Sequence, residues 1–151
     1  MKLANALAQR ADLQRRIAQL GSRLMNNAKV QEGEQPAEEP KELLAELESA
    51  SAQLEALIGR INLTNTAARC ETGESLTVLL ARRDCLKMKL GIYREFLQNA
   101  SDVVPRGLRT EIRIVSTVKV SQMQKQVDDM SRDLRQLEET IQSLNWTTEL
   151  Q

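Results

Sequence analysis

The chain has 151 residues, with Lys+Arg and Asp+Glu both at 21, so it carries no net field that would draw it to polyanions or anionic membranes. It contains no His and only one Trp, one Tyr and one Phe, which removes imidazole acid–base chemistry, His-based metal sites and multi-aromatic stacking platforms. The length points to one domain, and two cysteines, Cys70 and Cys85, are too few for a disulfide framework or a zinc site, which fits reduced thiols in a cytoplasmic protein.

Residues 1–20 are interrupted by Arg10, Asp12, Arg15 and Arg16, so no signal peptide is expected. Apolar residues nowhere run near the ~18 of a membrane span, and a soluble chain is expected. The first helix is set by Leu3, Ala6, Arg10, Leu13, Ile17, Leu20, Leu24 and Asn27, whose spacings alternate three and four as in a coiled-coil seam. Gly33, Pro36, Pro40 and four glutamates within 30–40 then stop the helix and keep the connection in solvent.

A second helix is predicted from about Lys41 to Asn65 on Leu47, Ala50, Leu54, Leu57, Ile61 and Thr64. Residues 66–75 reverse the chain with Gly73 and a candidate N-cap, Ser75. The third helix runs from Leu76 to about Ala100 on Leu76, Leu79, Arg83, Leu86, Leu90, Tyr93, Leu97 and Ala100. Pro105 and Gly107 open a connection over 101–117, in which the β-branched run from Glu111 to Val115 reads as a short strand. The fourth helix spans roughly Val118 to Trp146, with Val120, Met123, Val127, Met130, Leu134, Leu137, Ile141 and Leu144 on its seam. The fold class is all-α: four long heptad helices as two antiparallel hairpins, 1–65 and 76–147, in one elongated domain, with a possible β segment at 111–115.

Slid by 73 residues, Leu3, Leu7, Ala8, Arg10, Leu13, Ile17 and Leu24 fall on Leu76, Leu80, Ala81, Arg83, Leu86, Leu90 and Leu97. Slid by 83, Gln53, Leu54, Glu55, Ile58, Ile61, Asn62 and Thr64 fall on Gln136, Leu137, Glu138, Ile141, Leu144, Asn145 and Thr147. A duplicated hairpin explains both offsets. So does the ease with which any two heptad helices align.

Four polar residues sit on or beside the seams. Arg10 and Arg83 either snorkel, pair with acids such as Asp12 and Asp84, or act as register devices or anion binders inside the bundle. Asn62 and Asn145, each two residues before a Thr, read first as helix-terminal capping residues. Trp146 either covers the bundle end or anchors a partner, and the bundle end is the favoured reading. Arg106, Arg109 and Arg113, with Ile112 and Ile114, make the 101–117 connection a candidate interaction segment, through its cations or through an unpaired strand edge. The first helix carries a second stripe of mostly small residues, the second repeats Ala45, Ala52 and Gly59, and the third has Cys85, Met88, Ile92 and Phe96. These faces need neighbours within the chain or from other subunits. The Glu-x-x-His pattern of di-iron bundles, the P-loop and the G-x-S-x-G elbow are absent, so neither catalytic, cofactor nor metal residues are assigned.

At ADLQRRI (11–17), NNAKVQEGEQPAEEPKELL (26–44), INLTN (61–65), QKQV (124–127) and LNWTTEL (144–150) the chain resembles a bacterial family of small helical proteins labelled septicolysin-like. The resemblance implies a soluble helical homo-oligomer, and the family label implies a pore-forming cytolysin. Two readings follow: a non-enzymatic, self-assembling binding or scaffold protein with no nucleic-acid or membrane partner, and a septicolysin-like membrane-active protein.

Overall fold

The computed structural model describes residues 1–103 and 112–151. Helix makes up 74% of them and no strand forms among them. The elements are α1 (Leu3–Asn26), α2 (Pro40–Ala67), α3 (Leu76–Ser101) and α4 (Val120–Thr147), with α1 packed on α2 and α3 on α4 as two hairpins. At ~1.5 Å per residue these are rods of roughly 36 to 42 Å. Two compact units result: Met1–Arg69 with Ser143–Gln151, and Cys70–Gln142.

In the first unit the seams of α1 and α2 meet as predicted. Leu20, Leu43 and Ala50 form a buried cluster with Ile17, Leu24 and Leu47 against it. Burying one such leucine contributes about 1.5 to 3 kcal/mol, so the seams and not helix propensity hold the pair together. The chain reverses over residues 27–39, where Gly33 takes φ +88°, a conformation that costs a side chain strain. Pro40 then starts α2 at the first helical turn, where its missing N–H costs nothing, and the Glu39 side chain accepts from Lys41 N.

The last nine residues return to this unit. Leu3 N donates to Thr148 O at 2.9 Å and Leu150 N to Met1 O at 2.8 Å, an antiparallel bridge between Lys2 and Glu149. Below it the Thr64 hydroxyl, almost fully buried, accepts from Gln151 N at 3.0 Å and donates to Arg60 O at 2.8 Å. A seam threonine is thereby satisfied twice, which is why a polar group is tolerated there.

The second unit repeats the plan. Leu90, Leu97 and Val127 form its buried cluster, covered by Tyr93, Val120, Met123, Met130 and Leu134. Ser75 is the N-cap of α3, its Oγ accepting from Val78 N at 3.3 Å. The turn before it closes through Cys70 N to Glu74 O and Gly73 N to Cys70 O, with Gly73 at φ +87°. Residues 112–115 correct the strand expectation: they are irregular, with Ile112, Ile114 and Val115 exposed and no strand among the described residues to satisfy a ladder, while Glu111 lies outside the described residues.

The helix bounds also correct the repeat. Leu3 and Leu76 begin α1 and α3, as the offset of 73 requires. By contrast α2 and α4 begin at Pro40 and Val120 and end at Ala67 and Thr147, an offset of 80 and not 83. Ile61 and Ile141, both buried, then correspond, and Asn145 answers to Asn65 instead of Asn62. A shift of three residues lays half of a three-four seam onto itself, which is how the wrong register gathers matches.

Candidate interaction surface

The polar seam residues behave differently from one another. Arg10 is half-buried, and its Nε is enclosed without a hydrogen-bond partner among the described residues, while Asp12 pairs with Arg15. Arg83 lies half-buried at the equivalent place and is paired with Asp84, Nε at 3.0 Å and Nη2 at 2.8 Å. Asn145 is buried, whereas Asn62 is exposed and is no cap, because α2 continues to Ala67. Thr64 and Thr147 both spend their hydroxyls on the carbonyls four residues back.

Trp146 does not cover the bundle end: it is 62% exposed. Ile112, Arg113 and Ile114 are exposed as well, and Arg106 and Arg109 lie outside the described residues. In the second unit α3 also presents Val78, Met88, Ile92 and Phe96 to solvent.

Several polar links went unanticipated in the sequence. Asn27 is 8% exposed; its Nδ2 donates to Arg23 O at 2.9 Å and its Oδ1 accepts from Glu38 N at 3.0 Å, tying the end of α1 to the chain entering α2. Arg23 grips the Glu38 carboxylate beside it, and their hydrogen bond holds that carboxyl below its usual range. Glu149 accepts from Lys2 Nζ at 2.8 Å and from the Met1 ammonium at 2.9 Å, and Lys2 first, then that ammonium, lower its pKa to about 2. An asparagine ending an apolar seam just before a Gly/Pro-rich connection was the one available signal, for Asn27.

The chemistry on offer is limited. Cys70 and Cys85 are free thiols, and the Thr72 hydroxyl, 3.0 Å from Cys70 Sγ, draws the Cys70 pKa down. An open groove of about 520 Å³ between α3 and α4 is lined by Arg82, Cys85, Lys89, Asp133 and Gln136. Among the described residues, groups of three His, Cys, Asp or Glu able to hold a metal ion do not occur, and no helix is long and apolar enough to cross a membrane.

These features define an all-α protein of two helical hairpins that exposes large apolar side chains and solvated ion pairs. The chain belongs to a family of unknown function, DUF6847, which it matches over residues 10–150. It is 42% identical to a functionally unknown conserved protein from Corynebacterium diphtheriae, whose crystal structure superposes with a TM-score of 0.92 over 100% of this chain and 99% of that one. The search of curated proteins returned no match.

Proposed function

We propose that the protein is a non-enzymatic helical scaffold that works by associating with itself. The observation that carries this reading is the run Ile112, Ile114 and Val115, exposed together in a segment that forms neither helix nor strand. Apolar side chains so placed gain their burial from a neighbour: at about 25 cal/mol per Å², covering two isoleucines and a valine is worth several kcal/mol. The free thiols Cys70 and Cys85 support action in a reducing cytoplasm.

Native mass spectrometry and sedimentation at micromolar concentration test the proposal. A stable multiple of the 17.0 kDa chain is expected, weakened by Ile112→Asp with Ile114→Asp. A 17.0 kDa species throughout would refute self-association. Dye release from liposomes by the folded chain would favour the membrane-active alternative instead.

A further inference from the structure

The second stripe of α3 is a coiled-coil seam in its own right. Val78, Ala81, Cys85, Met88 and Ile92 alternate spacings of three and four, Phe96 follows four residues on, and all six are exposed. The repeat supplies an internal comparison. In α1, at the offset of 73, five of these positions are Asn5, Asp12, Arg15, Gln19 and Arg23. A hairpin of the same plan forms with Ala8 as the one apolar residue among these six positions, so folding does not account for the large apolar side chains in α3.

We propose that this seam is where two copies of the chain pair, α3 against α3, as an antiparallel coiled coil about a two-fold axis. The proposal rests on the self-association reading and gives it a face other than residues 112–115. A three-four seam is covered best by a helix with the same spacing, because each knob needs a four-residue hole opposite it. The side-chain volumes then choose the second copy and its direction. The seam is small at its N-terminal end and large at its C-terminal end. In antiparallel pairing Ala81 meets Ile92 of the second copy, Cys85 meets its Met88, and Val78 lies beside its Phe96. The layers between 81 and 92 each join a small residue to a large one. Parallel pairing would set Ala81 on Ala81 and leave a void in that layer, which close-packed interiors do not tolerate.

The area fits as well. The exposed parts of these side chains come to roughly 400 to 500 Å² per copy, about the apolar share of an interface of roughly 800 Å² per partner. Arg82, Lys89 and Glu95 flank the stripe and supply a polar rim.

Sedimentation of the full chain carrying Met88→Glu or Ile92→Glu tests the contact. Both positions are exposed in the single chain, so far-UV circular dichroism should remain helical. The dimer should weaken ~100-fold or more, because a carboxylate would be buried without a partner. Direction is read from Ala81→Cys with Ile92→Cys in a chain also carrying Cys70→Ser and Cys85→Ser. Within one helix these positions are ~16 Å apart, too far for a disulfide, so oxidation can join them only between copies. Peptide mapping should find 81 joined to 92. Links of 81 to 81 and 92 to 92 would overturn the antiparallel arrangement. An oligomer indifferent to both glutamate variants would overturn this interface while leaving self-association intact, and a wild-type chain that sediments at 17.0 kDa would overturn both.

Discussion

Replacing Asn27 by Ala should destabilise the first unit measurably, although the residue carries no charge and belongs to no hydrophobic cluster. Its amide makes two bonds, donating to Arg23 O and accepting from Glu38 N, at a place where only 8% of the residue is exposed. Alanine would leave the Glu38 N–H without its acceptor in a part-buried setting, and an orphaned donor costs about 1 to 3 kcal/mol. Arg23 O loses less, because it also accepts from Asn27 N at 3.1 Å. A total near 2 kcal/mol corresponds to a fall in Tm of roughly 4 to 8 °C for a chain of this size. Asn27→Asp should cost a similar amount, since it keeps an acceptor for Glu38 N but loses the donor and sets a negative charge at the helix C-terminus, where the dipole disfavours it. The second hairpin provides the control: its equivalent of Asn27 is Ala100, so Ala100→Ser should change little. Urea unfolding followed by circular dichroism measures all three. A loss below about 0.5 kcal/mol for Asn27→Ala would refute the clamp, because that is the scale of an unremarkable surface change.

Arg10→Met should raise stability by about 1 kcal/mol, since it removes an enclosed Nε that has no partner and keeps the volume of the side chain. Arg83→Met, which breaks a largely solvated pair with Asp84, should stay within about 0.5 kcal/mol on the same urea curves. For Glu149, Lys2 and the Met1 ammonium favour the charged form in the folded chain. Its contribution to stability is therefore complete above the ordinary carboxylate pKa near 4.5 and is lost as pH falls towards about 2. Carboxyl NMR should find Glu149 still ionised at pH 3, and Lys2→Met should move its midpoint up towards the ordinary value.

Positions along a helix are written in the sequence in a way that contacts across the chain are not. Leu20, Leu57, Leu90 and Val127 lie buried on the seams read from a spacing of three and four, because that spacing alone puts side chains on one helix face. Residues at the ends of the seams were harder to read. The repeat matches itself at a shift of three residues because the a and d positions are interchangeable under such a shift, and the bounds at Pro40 and Val120 break the tie. Burial shows the same tie being broken. The wrong register sets exposed Asn62 against buried Asn145, whereas the right one sets buried Ile61 against buried Ile141.

Trp146 is exposed for a related reason: size argues for burial, but its place on α4 lies off the seam, between Leu144 and the bridge at Glu149, and the wheel position decides. The bridge itself had no local signature. Lys2 and Glu149 pair from opposite ends of the sequence, so no local spacing could mark them. The exposed seam of α3 is the reverse case, in which the sequence showed the stripe in full. A stripe buried in its own fold and a stripe waiting for a second copy have the same spacing. What separates them is the polar face that α1 presents at the same positions, a comparison that needs the repeat to be in register first.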